Sequence, residues 1–294
     1  MQKHSSNPLA ILFLTGGYAN QLFQLAYFYT LYIEYKPEVY ISNILLSSTF
    51  AFLFGITKRD PILFPANIFL QLSFYDLLIS FAQKFFGSLD LRFVSDNRPL
   101  GVTQLSVNTI LLLKGSFHNQ LIFTDVVLAF WDSVRKSLDT KFILHTFFDV
   151  NNSLVVHLRL GDYLTLPNSQ IYSPITPLKI LTIIDRLSHV SNYYYVSDSP
   201  NLAAAFFDSP YLLPFNFCDL SSNSQEQDLF TLSLFDTIIC SNSTFSILST
   251  LISSSRSSPS KKSFFFPKNW FIDKDQNNFY YSSFLQFIPF SSFY

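Results

Sequence analysis

Short apolar runs, each bounded by turn residues, alternate with helical patterns through the second half of the chain. The apolar runs predict strands at residues 154–160, 193–196, 237–240 and 264–266. The periodicity between and after them predicts helices at residues 177–187, 200–207, 227–234 and 244–252. Strands and helices that alternate at this spacing are typical of a doubly wound α/β domain built on a parallel sheet.

The first part of the chain begins in the same way. Residues 9–14 are apolar at every position, which is typical of a central strand buried on both faces. Gly16 and Gly17 predict a tight turn, and Asn20 is then expected to cap a helix. The apolar positions 22, 25, 26 and 29 follow it at helical spacing.

Residues 40–148 are less clearly patterned. Helical periodicity appears at residues 67–85 and 125–138, and Thr109–Leu113 has the composition of a strand. A polar turn cluster follows at residues 149–152. We therefore expect two α/β domains, residues 1–150 and 151–294.

The chain is poor in charge. Of its 294 residues, 49% are apolar, 18% are aromatic and only 13% are Asp, Glu, Lys or Arg, where about 25% is usual. This composition supplies ample material for a core and excludes a disordered chain. The net charge of −1 leaves no electrostatic footprint for nucleic acid, so no such partner is expected.

An apolar composition also raises the question of a membrane span. Residues 8–33 contain no charged residue and are long enough to cross a bilayer. However, the glycine pair and the amides of Asn20, Gln21 and Gln24 would leave polar groups without water at mid-depth. The apolar segment 9–14 is also too short for a secretory signal. We expect a cytoplasmic protein, with peripheral membrane contact left open.

No metal site is expected. Cys218 and Cys240 have neither the spacing of metal ligands nor the number for a disulfide framework, which suits a reducing compartment. The Asp-x-Asp sequence at residues 273–275 follows the last predicted strand in a charged segment typical of the surface.

Polar side chains occupy the end of the predicted strand that begins at residue 154. Because side chains alternate along a strand, His157 and Arg159 share one face and Leu160 lies on the other. An Arg at the carboxyl end of a strand, followed by a glycine and Asp162, is well placed to hold a phosphate through two nitrogens. A structural Arg159–Asp162 ion pair, with His157 in the core, explains the same residues equally well.

Other segments also offer polar groups at the carboxyl ends of strands, where open α/β sheets bind ligands. Asp198 precedes a helix that it could cap, or it could face a cleft. Asn242, Ser243 and Thr244 precede another helix, where hydroxyls and free N–H groups bind phosphate without positive charge. These three residues could equally form a capping loop, and the Gly16-Gly17 pair an ordinary turn.

Taken in order, these segments resemble the α1,2-fucosyltransferases of glycosyltransferase family 11. The family pattern runs GG-x-GNQ-x-FQ-x-A, H-x-RRGDY, SDD, a helix that begins at Asp, an NSTFS-like loop and P-K-x-W. The corresponding residues here are 16–26, 157–163, 197–199, 228, 242–246 and 267–270. Residues 114–119 also resemble a strand-glycine-aromatic segment of the family's acceptor half. The match runs over residues 16–271, and its motifs are specific because they occur in the right order and spacing.

The resemblance implies a GT-B-like α/β enzyme with two Rossmann-type doubly wound domains facing a cleft. Its donor would be GDP-β-L-fucose, bound by the C-terminal domain, and its acceptor a galactose-containing glycan held mostly by the N-terminal domain. Fucose would pass to the 2-OH of the galactoside with inversion. No metal and no other cofactor would be needed.

The resemblance also implies roles for individual residues. Arg159 would clamp the diphosphate of the donor, and Asp228 would read the edge of the guanine. His157, Asp162 and Asp198 would line or support the donor site, with His157 and Asp162 placed beside Arg159 in the catalytic group. The remaining donor-binding residues would be Asn242, Ser243 and Thr244 near the phosphates, and Gly16, Gly17, Asn20 and Gln21 from the opposite domain.

Five positions depart from the family pattern, two of which are Ile247 and Leu248 in place of the usual aromatic pair after the NSTFS-like loop. Leu160 replaces a second Arg, which the apolar face of the strand should tolerate, although diphosphate stabilisation would weaken by about 2 kcal/mol if that Arg acts in the transition state. Ala19 replaces a glycine, and Ser199 replaces the second acid of SDD. These changes favour two alternatives: transfer of another GDP-deoxysugar such as colitose, or a catalytically weak nucleotide-sugar-binding protein.

The catalytic base stays open at this point. His118, Asp162 and Asp198 have suitable chemistry, and geometry must choose among them. The acceptor subsite falls in the weakly patterned residues 40–148, so the sequence does not identify the acceptor. It does not indicate the oligomeric state either.

Overall fold

The structure, a computed structural model, describes residues 9–12, 16–35, 38–41, 70–71, 90–94, 109–113, 125–142, 150–256, 262–269, 271–272 and 291–293. The chain divides into two compact units, residues 1–130 and 131–294. Helix α2, Asp125–Lys141, spans this division. The functional boundary near residue 150 stays a prediction.

The first unit contains a five-stranded parallel sheet in the order β3-β2-β1-β5-β4. Its strands are Leu9–Leu12 (β1), Glu38–Ile41 (β2), Leu70–Gln71 (β3), Asp90–Val94 (β4) and Thr109–Leu113 (β5). β1 is the middle strand, with Ala10 level with Val39 of β2 and Leu111 of β5. This central position explains the unbroken apolar run at the start of the chain.

Helix α1, Tyr18–Tyr35, follows the turn at Gly16. Gly16 has a φ of +78°, a left-handed conformation that favours glycine. The helix begins two residues before Asn20, so the prediction that Asn20 caps it is wrong. Asn20 lies in the first turn, and its Nδ2 would lie only 2.7 Å from a Cβ added at Gly16. Among the helices that the structure describes, none combines the length and apolarity that a membrane crossing requires.

The second unit contains a six-stranded sheet in the order β11-β10-β9-β6-β7-β8, and all of its pairings are parallel. The strands are Ser153–Leu158 (β6), Asn192–Ser197 (β7), Cys218–Asp219 (β8), Thr237–Ile239 (β9), Ser263–Phe266 (β10) and Ser291–Phe293 (β11). Numbered within the unit, this is the strand order 3-2-1-4-5-6 of the Rossmann fold. The order reverses between β6 and β9, and such sheets bind ligands beyond the carboxyl ends of the strands at that point.

Four helices connect these strands. They are Pro177–Ile184 (α3), Pro200–Phe207 (α4), Gln225–Ser233 (α5) and Thr244–Ser254 (α6). α3 and α4 each begin at a proline, which suits the first turn because the N–H it lacks would have no partner within the helix. Short 3₁₀ turns occupy Val150–Asn152, Asp162–Leu164, Asn168–Gln170 and Leu213–Phe215.

The two faces of β6 differ as the alternation predicts. Leu154, Val156, Leu158 and Leu160 pack in one apolar cluster with residues of α3 and α4. His157 points to the other side, where its ring meets Ser246 of α6. The expected burial of Leu160 is confirmed, since it is 5% exposed.

Two parallel sheets with connecting helices confirm the predicted α/β fold class. The helix expected at residues 200–207 has those bounds, and the other elements expected in the second unit lie within a few residues of their predicted ends. The helix predicted at residues 67–85 is wrong at the two of these residues that the structure describes, because Leu70–Gln71 is a strand. The facing of the two domains across a cleft stays a prediction.

Leu160→Arg tests the burial of the position where the family pattern has a second Arg. The new guanidinium would replace an apolar side chain that is 5% exposed, so it would bury a charge without a partner. We expect it to lower the free energy of unfolding by about 3 kcal/mol or more, as measured by urea denaturation.

Leu160→Met is the control, because it keeps the volume and apolarity of the site and should cost less than about 1.5 kcal/mol. A Leu160→Arg protein as stable as the Leu160→Met protein would contradict the burial of this side chain in the cluster.

Candidate functional site

A pocket opens at the carboxyl ends of β6 and β7. Its cavity volume is about 260 Å³, near the lower end of the about 300–1,000 Å³ typical of small-molecule sites. Its lining residues are His157, Arg159, Val196, Ser197, Asp198, Pro200, Ser222, Asn223, Gln225, Asp228 and Phe245. The pocket lies beyond the carboxyl ends of the strands, where open α/β sheets bind ligands, but on the β7 side of the point at which the strand order reverses. Phe245 is the lining residue that follows β9.

Arg159 is the one Lys or Arg among these lining residues. Its Nη2 lies 2.9 Å from Asp162 Oδ1 and its Nη1 3.2 Å from Asp198 Oδ2, and its side chain is 29% exposed. Burial by itself would lower the pKa of Arg159, but the carboxylates of Asp198 and Asp162 outweigh it and raise the pKa above its ordinary value. The guanidinium therefore stays charged, and an anion entering the pocket competes with two carboxylates for it.

Asp198 fixes the turn that carries Arg159. Its Oδ1 accepts hydrogen bonds from the backbone N–H groups of Leu160, at 2.9 Å, and Gly161, at 3.3 Å. A Cβ at Gly161 would lie 2.8 Å from Asp198 Oδ2 and 3.1 Å from Ser199 Oγ, so glycine permits this close approach. The N-cap of α4 is Ser199, so the interpretation of Asp198 as a plain helix cap is wrong.

His157 is 4% exposed and meets two hydroxyls. Its Nδ1 lies 2.6 Å from Ser246 Oγ and 3.0 Å from Ser241 Oγ. Burial, and then the nearby charge of Arg159, lower the pKa of His157 to about 3. The imidazole is therefore neutral near pH 7, and it is too weak a base to take a proton from a hydroxyl efficiently.

Asp228 lies in the first turn of α5 and is 9% exposed. Its Oδ1 accepts a hydrogen bond of 2.7 Å from the backbone N–H of Ser222. Burial raises the pKa of Asp228 above the ordinary value of Asp, although the hydrogen bonds from Ser222 oppose this shift. A carboxylate that is partly desolvated in a pocket is typical of a group kept for binding or catalysis.

In the predicted phosphate-binding loop, the side chains of Asn242 and Ser243 form hydrogen bonds with other groups of the protein. Asn242 is 1% exposed, and its Nδ2 donates to the backbone oxygen of Ser173 at 3.0 Å. Ser243 caps α6 by accepting a hydrogen bond of 3.2 Å from the N–H of Phe245. Thr244 is the first residue of the helix. Among residues 242–246, Phe245 is the one that lines the pocket. The phosphate-binding roles of Asn242, Ser243 and Thr244 stay predictions.

A column of aromatic rings supports Arg159 from the loop that follows β6. The Arg159 guanidinium lies 5.8 Å from the centre of the Tyr163 ring. Tyr163 stacks on Tyr172 with ring centroids 4.2 Å apart, and Tyr172 meets Phe271 at 5.6 Å. The Tyr163 hydroxyl donates to the backbone oxygen of Asn242 at 2.8 Å, which ties this loop to the start of α6.

The glycine motif lies in the first unit. Gln21 is 5% exposed, and its Nε2 donates to the backbone oxygen of Gly16 at 3.1 Å. Its backbone N–H donates to the oxygen of Gly17 at 3.0 Å. These bonds hold the turn before α1, while the expected contact of Gly16, Gly17, Asn20 and Gln21 with a donor sugar stays a prediction.

The pocket brings together four of the predicted site residues, His157, Arg159, Asp198 and Asp228. Asp162 joins them through its ion pair with Arg159. The pocket-lining role of Ser222, Asn223, Gln225 and Phe245 was not expected. The first three surround the start of α5, and the signal that could have found them is a run of polar residues just before Asp228.

The structure describes no residue of the Asp-x-Asp sequence at 273–275, of segment 114–119 with His118, or Trp270. Within the described part of the chain, no group of three or more His, Cys, Asp or Glu side chains could hold a metal ion. Of the described base candidates, Asp162 and Asp198 both pair with Arg159.

No protein-family model and no curated protein matches the chain. Among solved structures, POFUT1 in complex with GDP is 10% identical with a TM-score of 0.49, covering 88% of this chain and 98% of POFUT1. The fucosyltransferase NodZ from Bradyrhizobium is 12% identical with a TM-score of 0.45, covering 85% and 94%. A mutant of Arabidopsis thaliana FUT1 in complex with GDP is 10% identical with a TM-score of 0.39, covering 86% and 70%. Similarity at this level decides neither a donor nor an acceptor for this chain.

Asp228→Asn tests whether the buried carboxylate costs stability. The amide keeps an oxygen that can accept from Ser222 N–H but carries no charge to desolvate. Because burial raises the pKa of Asp228 in the folded state, protonation favours folding, and this advantage is lost as the pH rises through the folded pKa. We expect the variant to be at least as stable as wild type at about pH 7, with any excess shrinking toward about pH 4.

Urea denaturation of both proteins across this pH range measures the difference. Asp208→Asn, at an exposed position outside the pocket, is the matched control and should show little change. An Asp228→Asn protein clearly less stable than wild type at pH 7 would mean that the charge itself holds the fold together.

Proposed function

We propose that the protein is a metal-independent, inverting glycosyltransferase that moves L-fucose from GDP-β-L-fucose to the 2-OH of a galactoside. The motif order supports the reaction class, and the pocket of the second unit supports the donor. In this proposal the nucleotide occupies the carboxyl ends of β6 and β7, and the galactose-containing acceptor is held mostly by the N-terminal domain.

One observation carries the proposal: Arg159, which is ion-paired with two aspartates, and the buried carboxylate of Asp228 line the same pocket. Arg159 offers two nitrogens to a diphosphate, and this geometry favours bidentate binding of phosphate oxygens. Asp228 offers a carboxylate, which suits the N–H donors on the edge of a guanine. Guanine presents two adjacent N–H donors, N1–H and N2–H, whereas adenine presents one amino group beside a ring-nitrogen acceptor that would face the carboxylate unfavourably. The pair of groups therefore favours a guanosine diphosphate.

The same groups suit the chemistry of transfer. As the bond to the sugar breaks, negative charge grows on the leaving GDP, and a positioned Arg stabilises it. Asp198, itself held by two backbone N–H groups, keeps Arg159 in place before the nucleotide arrives, so less reorganisation is needed during the reaction. Neither step calls for a metal ion.

Two alternatives keep the same pocket. Ser199, which replaces an acid of the family pattern, lies beside Gly161 at the pocket end of β7 and favours a different GDP-deoxysugar such as colitose. The burial of Leu160 at the position of a second Arg favours a catalytically weak binder of nucleotide sugars.

Nucleotide titration with two variants tests the donor site. We expect Arg159→Ala to weaken both GDP and pyrophosphate about tenfold or more, because both ligands use the cation. We expect Asp228→Asn to weaken GDP about tenfold while leaving pyrophosphate unchanged, because the carboxylate meets only the base. Isothermal titration calorimetry measures the four affinities, with Asp208→Asn as the control.

A protein that binds ADP or UDP as tightly as GDP would contradict the assignment of Asp228. Transfer is tested next with GDP-fucose and lactose in EDTA, beside a panel of other GDP-deoxysugars. Turnover with GDP-fucose that is lost in Arg159→Ala supports the fucosyltransferase. Binding of GDP with no transfer from any donor in the panel would contradict an enzyme and favour the binder.

Asp162→Asn tests the competition between carboxylate and phosphate for Arg159. Asp162 is 44% exposed, whereas Asp198 is 23% exposed and is held by two backbone N–H groups. Asp162 is therefore the carboxylate that a phosphate displaces more easily. Because an exposed ion pair is worth about 0.2–1 kcal/mol, we expect Asp162→Asn to bind GDP about two- to fivefold more tightly.

Asp185→Asn, at the exposed end of α3, is the control for a simple loss of charge. Calorimetry at two salt concentrations compares the three proteins. Weaker GDP binding by Asp162→Asn would show that this carboxylate positions Arg159 for the ligand and does not compete with it.

A further inference from the structure

Three polar atoms form a closed, buried group behind the pocket. The Nδ1 of His157 lies 2.6 Å from Ser246 Oγ and 3.0 Å from Ser241 Oγ, and the two hydroxyl oxygens lie 3.3 Å apart. Ser241 is 2% exposed and Ser246 is 0% exposed, so water does not complete their bonding. Within the described part of the chain, these two hydroxyls bond only to each other and to His157.

Counting protons decides how this group is arranged. If Nδ1 carried the proton of the neutral imidazole, all three groups would be donors. The Nδ1–H could donate to one hydroxyl oxygen and that hydroxyl to the other, which would leave the second buried O–H without an acceptor. If Nδ1 is bare, one hydroxyl donates to Nδ1 and the other donates to the first hydroxyl, so both donors are satisfied. Since buried polar groups are almost always hydrogen-bonded, the second arrangement is favoured.

The distances favour one hydroxyl as the donor to the ring. With Nδ1 bare, Ser246 Oγ is the closer oxygen, at 2.6 Å against 3.0 Å for Ser241 Oγ, so we assign the O–H···Nδ1 bond to Ser246. The Ser241 O–H then donates to Ser246 Oγ, across the longer distance of 3.3 Å.

We propose that Ser246 and Ser241 are positioning residues that fix His157 as the tautomer with its proton on Nε2, so that a neutral N–H donor faces the pocket. His157 then hydrogen-bonds an oxygen of the ligand and does not serve as a general base. That the ligand is the diphosphate of a nucleotide sugar rests on the function proposed above, whereas the tautomer does not.

The arrangement has a chemical advantage for an anion site. Arg159 supplies the positive charge, while His157 supplies a directional hydrogen-bond donor. Because the ring is neutral, the buried site does not bear the desolvation cost of a second charge. An Nε2–H donor also cannot lose its proton to the phosphate near neutral pH. The hydroxyl pair therefore converts a residue that could act as acid or base into a fixed donor.

Nuclear magnetic resonance of the ligand-free wild-type protein, with its histidines labelled with ¹⁵N, tests the tautomer directly. The His157 signals are assigned by their loss in His157→Gln. We expect Nε2 to be the protonated nitrogen and Nδ1 the bare one at every pH between 6 and 8. A proton on Nδ1, or a doubly protonated ring, would overturn the proposal, and this measurement needs no variant to fold.

Substitution of the two hydroxyls tests the positioning role. Because Ser241 can take over as donor to Nδ1, Ser246→Ala should weaken GDP binding only about threefold, while the double Ser241→Ala and Ser246→Ala protein should weaken it about tenfold. The double variant should also populate both tautomers, which a merely structural role would not produce. Ser249→Ala is the control: Ser249 is equally buried on α6, and its hydroxyl donates to the backbone oxygen of Ser246.

The last measurement adds GDP or pyrophosphate to the labelled wild-type protein. A shift of the His157 Nε2–H signal with both ligands supports a contact with phosphate. If GDP does not bind while His157 keeps its proton on Nε2, the proposed function fails and the tautomer stands. If GDP binds and the Nε2–H signal does not move, the donor role of His157 is overturned while the proposed function survives.

Discussion

The carboxylate of Asp198 joins the ends of two neighbouring strands, and the candidate site depends on it. One oxygen accepts the backbone N–H groups of Leu160 and Gly161, which follow β6, while the other pairs with Arg159. Glycine at position 161 permits this close approach of the carboxylate, because a Cβ there would lie 2.8 Å from the Oδ2 of Asp198. Asp198 thus satisfies backbone donors that would otherwise be left at a strand end and also sets the direction of the cation.

Burial gives the surrounding groups their character. His157 is kept neutral, Arg159 is kept charged by its aspartates, and Asp228 bears a desolvation cost that no ion pair among the described residues offsets. A chain with half the usual share of charged residues places several of them, of both signs, around one small pocket. Such a concentration is difficult to explain by stability alone, because buried polar groups rarely stabilise a fold as well as apolar ones do.

The sequence predicted best where one periodicity governs many residues. The alternation along β6 separated His157 from Leu160 correctly, and the proline that starts α4 marked its first residue. The pattern could not reveal β8, a two-residue strand held by pairing with β7. The polar run before Asp228 is visible in the sequence, but not that this pairing brings Ser222 and Asn223 to the pocket. Contacts of this kind depend on residues distant in the chain, and no local period encodes them.

In the NSTFS-like loop, residues 242–246, composition also does not decide the role of each hydroxyl group. The composition of the loop is equally typical of an anion site and of a helix cap, and only packing separates the two. Ser243 caps α6 and Asn242 holds the neighbouring loop, whereas Ser246, the third residue of the helix, reaches His157. The serine with an unexpected part in the site was thus the one that the motif placed inside a helix, where hydroxyls usually bond only to the preceding turn.

Leu160 shows how the backbone limits what one departure from a motif can mean. Leu160, which follows Arg159 in the turn after β6, packs in the apolar cluster and is not among the residues that line the pocket. A second Arg at this position would bury an unpaired charge in that cluster and would lower the stability of the fold. The loss of about 2 kcal/mol of transition-state stabilisation expected from the missing Arg stays a prediction. Beside Arg159, Ser222, Asn223 and Gln225 line the pocket with neutral hydrogen-bonding groups, and none of the lining residues supplies a second Lys or Arg.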